Sequence, residues 1–175
     1  MTHSKNPVKA VGLISGGLDS TLAVRILQNI GVEVHALHCI MPWSKGCSIR
    51  IVKRAESLGI KLVPIKLEDD YLEMLKKPKH GYGSAFNPCI DCHIFMLKEA
   101  AKYMKEIGAE FVFTGEVVGQ RPMSQMRSKL RIVEKESGLE GRLLRPLSAQ
   151  QLEPTIPEKK GIIDRKKLLN IHGRS

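Results

Sequence analysis

Val11 to Ile14 form a short apolar run that passes straight into Ser15-Gly16-Gly17-Leu18-Asp19-Ser20. Leu22, Ala23, Ile26, Leu27 and Ile30 then follow at the spacing of one helix face, up to Gly31. A continuous apolar strand that turns through paired glycines into an amphipathic helix commits the chain to a βα unit with the strand covered on both faces. The pattern recurs. Val32 to about Ile40 reads as a second strand, Met41 to Gly46 as a loop carrying Pro42 and Trp43, Cys47 to Leu58 as a helix stopped by Gly59, and Leu62 to Leu67 as a third strand. Alternating strands and helices predict an α/β fold, a doubly wound parallel sheet.

Lys76 to Pro88 is rich in Gly, Pro, Lys and His and predicts a long loop. Asn87 is the expected N-cap of the helix that follows, with Pro88 in its first position, and Ile94, Leu97, Ala101 and Met104 mark its buried stripe up to Gly108. Phe111 to Phe113 read as a fourth strand ending at Thr114-Gly115-Glu116. Val118 to Ser128 reads as a polar loop, Leu130 to Glu134 and Arg142 to Leu144 as an extended pair, and a short basic helix is expected from about Asp164. The 175 residues suit one domain, with a core of about residues 8–147 and a basic C-terminal extension of about 148–175.

The Ser15–Ser20 segment has the chemistry of an anion site. Paired glycines let the backbone come close to a phosphate, a helix N-terminus offers free N–H groups and the positive end of its dipole, and Ser15 and Ser20 add hydroxyls. Asp19 is placed to hold Mg²⁺ against phosphates. Neither the Walker pattern nor the Gly-x-Gly-x-x-Gly dinucleotide fingerprint is present.

Ser-Gly-Gly-x-Asp-Ser after a first strand resembles the PP-loop of the ATP pyrophosphatase superfamily. The resemblance implies a Rossmann-like, adenine nucleotide alpha hydrolase-like fold that cleaves ATP between the α- and β-phosphates and joins AMP to a carbonyl oxygen. It implies pyrophosphate on Ser15, Gly16, Gly17, Asp19 and Ser20, adenosine near His38 and Cys39 at the end of strand two, and Gly115 beside the AMP moiety. Open-sheet ligands sit outside the carboxyl ends of the strands, which is where these residues fall.

Asn87-Pro88-Cys89-Ile90-Asp91-Cys92 places a Cys-x-x-Cys at a helix start, where N–H groups and the dipole favour thiolate. Together with the PP-loop it resembles the catalytic domain of the tRNA thiolation enzymes, the 2-thiouridine and 4-thiouridine synthases. Thr114-Gly115-Glu116 and Leu144-Arg145-Pro146-Leu147 fall where those enzymes carry a Thr-Gly turn and an Arg-Pro-Leu segment, which makes Arg145 an expected phosphate contact. The resemblance implies that an adenylated uridine carbonyl is attacked by sulfur, so Asp19, Cys89 and Cys92 are the expected catalytic residues. Four readings of the cysteines stay open: a [4Fe-4S] cluster on Cys47, Cys89 and Cys92; a Zn²⁺ tether completed by a histidine such as His80 or His93; a persulfide or disulfide-cycling pair; and inert thiols.

Charge bears on the partner. Lys and Arg total 28 against 18 Asp and Glu, and residues 121–175 alone carry +7, which suits a polyanion such as RNA. Arg121, Arg127 and Lys129, interspersed with hydroxyl and amide donors, are the expected RNA contacts. Aromatics make up only 5%, leaving little material for base stacking. No apolar run nears the roughly 18 residues of a membrane span, and Met1 to Lys9 is too polar for a signal peptide. With four cysteines read as reduced thiols, the expectation is a soluble cytoplasmic protein. The extra domains of the thiouridine synthases are absent from this sequence, so tRNA contacts are expected from its own basic loops, a second subunit or residues beyond Ser175. A sulfur donor protein or sulfide is a further expected partner. The other readings are an amide-forming or small-molecule sulfur-inserting PP-loop enzyme, and a non-catalytic nucleotide- or metal-binding subunit.

Overall fold

The computed structural model describes residues 7–83, 87–121 and 124–173. Five strands, β1 (Lys9–Leu13), β2 (Glu33–Ile40), β3 (Lys61–Lys66), β4 (Phe111–Thr114) and β5 (Leu143–Leu144), form one parallel sheet in the order β3-β2-β1-β4-β5. The chain builds outward from β1 to β3, then crosses back to lay β4 against the other side of β1. That reversal opens a crevice at the carboxyl ends of β1 and β4, where open α/β sheets bind ligands. The central strands are sealed: Ala10, Val11, Phe111, Val112 and Phe113 have no exposed surface. Pro64 lies in β3 without disturbing the sheet because β3 is an edge strand with a single partner.

Helices cover both faces. α1 (Leu18–Asn29) and α2 (Ile49–Leu58) bury Ala23, Val24, Leu27, Ile51 and Leu58 on one side with Ala10, Ile14, Ala36 and Phe113. On the other side α3 (Asp69–Lys76), α4 (Cys89–Glu106) and α5 (Arg127–Glu136) bury Tyr71, Ile94, Leu97, Met104 and Val133 with Val11, Leu37 and Val112. Alternate residues of β1 enter opposite cores, as the period-two pleat requires. Among the described residues no helix is long and apolar enough to cross a membrane.

Three local expectations are corrected and one helix is added. Leu130 to Glu134 belongs to α5 and not to a strand: Leu130 and Val133, three apart, are its buried residues, and the intervening polar side chains face outward, so helical packing overrides the β-branched Ile-Val pair. The N-cap of α4 is Pro88 and not Asn87, which shifts the first helical position to Cys89. The basic helix near Asp164 is one 3₁₀ turn, Arg165–Lys167, capped by the Asp164 carboxylate accepting from the Lys166 N–H. Helix α3 is one that the apolar pattern alone does not mark, since Tyr71 is its one buried residue.

The C-terminal segment is built into the structure. After β5 come a 3₁₀ turn (Ala149–Gln151) and a short helix, α6 (Ile156–Lys159), which carries a capping box between Thr155 and Glu158. Ala149, Ile163 and Leu168 enter the core on the α1 side, and the chain returns so that Val118 bridges His172. Leu168→Ala, at a side chain only 2% exposed, is expected to cost about 2–5 kcal/mol. Leu169→Ala, 37% exposed, is expected to stay within about 0.5 kcal/mol. Urea unfolding followed by circular dichroism checks both.

Candidate active site

The junction of β1 with α1 is shaped by two glycines with different tasks. Gly16 has φ +81°, the left-handed conformation that turns the strand into the helix, and Gly17 is the helix N-cap in extended conformation. No side chain caps α1, so its first-turn amides are free of intramolecular side-chain acceptors. The hydroxyls of Ser20 and Thr21 both donate to the Gly17 carbonyl, at 3.0 and 2.9 Å, and the Gly17 N–H donates to Ser15 Oγ at 3.3 Å. These bonds hold the loop in shape.

Gly115, at the end of β4, is pressed against this turn. A Cβ built there would stand 2.5 Å from the Ser20 nitrogen and 2.6 Å from the Asp19 carbonyl carbon. The glycine is therefore required first by strand-to-helix packing, and the close approach it permits is to the backbone of Asp19 and Ser20.

A cleft of about 740 Å³ opens over the loop. It brings together Ser15, Asp19, Ser20, His38, Cys39, Cys89, Cys92, His93, Gly115, Glu116, Gln120 and Arg121, joining the glycine loop to the Cys-x-x-Cys across the carboxyl edge of the sheet. Asp19 Oδ2 accepts from Gln120 Nε2 at 3.3 Å. His38 Nδ1 lies 3.1 Å from the Ile14 carbonyl, which can only accept, so Nδ1 carries a proton and donates.

The two thiols of the motif differ. Cys89 is exposed at the first position of α4, whereas Cys92 is partly buried with its Sγ 3.0 Å from the Tyr71 hydroxyl. Burial, with the nearby Cys89 sulfur, pushes the Cys92 thiol above its ordinary range despite the Tyr71 hydrogen bond. Helix-terminal activation is thus outweighed at Cys92 by desolvation. Cys39 lies deeper still, and burial, Glu99 and Cys92 push its thiol up to about 12.

The three-cysteine set of Cys47, Cys89 and Cys92 is not assembled. Cys47 packs against the core on the α1–α2 face, and Cys92 against the core on the opposite face of the sheet. The expected histidines are also engaged elsewhere: His80 places Nδ1 3.0 Å from Asp91 and Nε2 3.1 Å from Glu136, and His93 faces Glu116. Among the described residues no three His, Cys, Asp or Glu side chains form a metal-binding group. The donor set therefore fits neither a three-cysteine cluster nor a zinc tether.

Arg145 is likewise not where a phosphate contact would be. It is 2% exposed, its Nε donating to Glu116 Oε2 at 3.0 Å and its Nη1 to Glu134 Oε2 at 3.3 Å. Glu116 also accepts from the Thr114 hydroxyl at 2.8 Å, and His93 Nδ1 stands 3.3 Å from its other oxygen without hydrogen-bond alignment. Of the expected RNA contacts, Arg121 lines the cleft. Arg127 is on α5, bonded to Gln151 and bordering a second cavity of about 430 Å³, and Lys129, also on α5, lines neither cavity.

Two residues are legible only in the structure. Gln125 is 8% exposed, lines the cleft, and leaves Oε1 without a partner among the described residues. Glu116 is buried in the wall and faces His93; its ionisation follows from opposing effects. Desolvation pushes its carboxyl up, but the facing His93 and Arg145 and the bonds from Thr114 and Arg145 bring it below the ordinary value. A depressed folded pKa contributes stability above the unfolded value and loses it as pH falls through the folded one. Glu116→Gln is therefore expected to cost on the order of 3 kcal/mol at pH 7, by leaving Arg145 short of a partner. The loss should shrink as pH drops below about 4.5, the ordinary carboxyl value. Denaturant unfolding at a series of pH values measures the difference between the two proteins.

Comparison with known proteins agrees with this architecture. Over 88% of its length the chain is 32% identical to a probable tRNA sulfurtransferase of Thermococcus kodakarensis, covering 40% of that protein. It is 34% identical over 60% of its length to the tRNA-specific 2-thiouridylase MnmA of Sulfurimonas denitrificans, covering 33% of it. The chain thus spans between a third and two fifths of the length of these curated relatives. A 4-thiouridine synthetase solved as an RNA complex with bound ATP superposes with a TM-score of 0.60 and 26% identity, over 79% of this chain and 36% of that one. Residues 6–162 match the family described as thiamine biosynthesis protein (ThiI), and with most of its length inside that match the chain belongs to this family.

Proposed function

We propose that the chain is the catalytic domain of an ATP-dependent tRNA sulfurtransferase, one that adenylates a uridine carbonyl oxygen and then replaces that oxygen with sulfur. The observation that carries this reading is the single cleft that unites the uncapped N-terminus of α1 with Cys89 and Cys92. Similarity to a tRNA sulfurtransferase, a tRNA 2-thiouridylase and an ATP-bound 4-thiouridine synthetase supports it.

The chemistry follows from the donors. The ATP phosphates rest on the first-turn amides of α1 and the hydroxyl of Ser15, with His38 and the carboxyl end of β2 beside the nucleoside; Asp19 is the residue that would hold Mg²⁺, which would neutralise phosphate charge. One carboxylate with substrate phosphates is an adequate Mg²⁺ site. The uridine oxygen attacks the α-phosphorus, pyrophosphate leaves, and the carbonyl carbon then carries a good leaving group.

Sulfur enters as the outer atom of a persulfide on Cys89, the accessible thiol, charged by a donor protein or by sulfide with an oxidant. That atom attacks the activated carbon and AMP departs. Cys92 then attacks Cys89 Sγ, which releases the thiocarbonyl and leaves a Cys89–Cys92 disulfide for an external dithiol to reduce. Set back beside Tyr71, one turn from Cys89, Cys92 is placed for the second, resolving step, which it takes as the thiolate after losing its proton. Arg121 at the cleft, with Arg127 and Lys129 on α5, gives the RNA phosphates a cationic approach.

Asp19→Ala is expected to lower uridine-dependent pyrophosphate release by at least about a hundredfold. Cys92→Ala is expected to retain pyrophosphate release and lose multiple-turnover thiolation. Radiolabelled ATP turnover and mass spectrometry of the RNA nucleosides distinguish the two. A Cys92→Ala protein that thiolates at the wild-type rate overturns the sulfur assignment.

A further inference from the structure

Forming an O-adenylyl uridine sets a proton free. When a uracil carbonyl oxygen bonds to the α-phosphorus, N3 makes a double bond to the adenylated carbon, and the ring stays neutral only if the N3 proton leaves. Both carbonyl carbons of uracil are bonded to N3. Whichever of them is thiolated, the group that takes this proton must therefore stand beside the carbon that sulfur attacks. In the cleft that position is by α4, the helix of Cys89 and Cys92. Histidine is the side chain best matched to taking and giving a proton near neutral pH.

His93 follows Cys92 on α4, lines the same cleft and keeps 17% of its side chain exposed. Its Nδ1 lies 3.3 Å from Oε1 of Glu116, whose side chain is only 6% exposed. The other oxygen of Glu116 accepts from Thr114 and Arg145, whereas Oε1 has no hydrogen-bonded partner among the described residues. A fixed, buried carboxylate thus keeps one oxygen uncommitted on the side of the ring. An imidazole that gains a proton on Nε2 becomes a cation, and a carboxylate at Nδ1 stabilises it. Such bonds are often loose before substrate binds and tighten with it.

The other ionisable groups of the cleft are less suited. Asp19 is the expected Mg²⁺ ligand, and the two thiols handle sulfur. His38 stands at the end of β2 with Nδ1 on the Ile14 carbonyl, and among the described residues no carboxylate pairs with it.

We propose that His93 is the general base that takes the N3 proton of the uridine as its carbonyl oxygen is adenylated, and the acid that returns a proton to N3 once sulfur has displaced AMP. The proposal rests on the adenylating reading above. In the first step the O–P bond forms, the bond from the α-phosphorus to pyrophosphate breaks, and the proton moves from N3 to His93 Nε2. In the second, AMP leaves with the oxygen, attack by Cys92 on Cys89 Sγ leaves the sulfur on the ring as an anion, and His93 protonates N3 to give the thiocarbonyl. The imidazole ends as it began.

The test compares His93→Ala and His93→Gln with the wild type in uridine-dependent pyrophosphate release. ATP binding is followed by equilibrium dialysis, and RNA binding by anisotropy of a fluorescein-labelled transcript. Both variants are expected to lose about 10²- to 10⁴-fold in kcat, the range of general-base catalysis, with both affinities unchanged. Added imidazole should restore release to His93→Ala, where the substitution leaves room for it, and should leave the wild type as it was. A purely structural role for the ring would not be rescued in this way.

Wild-type rates in both variants, or a loss in His93→Ala that imidazole does not relieve, overturn the assignment and leave adenylation in the cleft standing. Loss and rescue in His38→Ala in place of His93→Ala overturn it by moving the base to β2. If the wild-type chain releases no pyrophosphate with any uridine-containing RNA, the adenylating reading itself fails and the base falls with it.

Discussion

The contact on which the site depends is the one between the end of β4 and the first turn of α1. Gly115 sits so close to the backbone of Asp19 and Ser20 that no side chain fits between them. Through it the glycine loop is clamped between β1, which leads into it, and β4, which presses on it from the side. In the proposed reading the phosphates rest on backbone amides, which no rotamer change can re-aim, so the precision of the loop comes from such steric clamping.

The clamp extends outward from β4. Glu116, the residue after Gly115, is buried, bound by Thr114 and Arg145 and faced by His93, and Arg145 in turn reaches Glu134 of α5. This network ties the cleft wall to β5 and α5, while on the far side Asp91 near the start of α4 accepts two hydrogen bonds from His80. The Cys-x-x-Cys is thereby held from both flanks. A buried ion pair adds little net stability over apolar packing, so specification of geometry is the better account of its place here.

The two thiols show how one helix start produces two environments. Cys89 meets solvent at the first position of α4, and Cys92, one turn on, faces Tyr71 and the core. Three residues of helix rotate a side chain back to nearly the same face but one turn deeper, which here is the difference between an accessible sulfur and a desolvated one.

Sequence by itself determined the layout: the apolar runs separated by helical periods required a parallel α/β sheet, and the paired glycines of Ser15–Ser20 required a tight strand-to-helix turn at its carboxyl edge, because both signals are local. Only the tertiary structure decided which distant residues meet. Cys47 was separated from Cys89 and Cys92 because helices α2 and α4 pack on opposite faces of the sheet, a matter of crossover direction that no spacing encodes. Arg145 lies inward between Glu116 and Glu134, since a buried guanidinium persists only where carboxylates pair it. Leu130 to Glu134 became helix because α4 offered it a face to pack on, and Gln125 entered the cleft through a loop whose course depends on the whole wall.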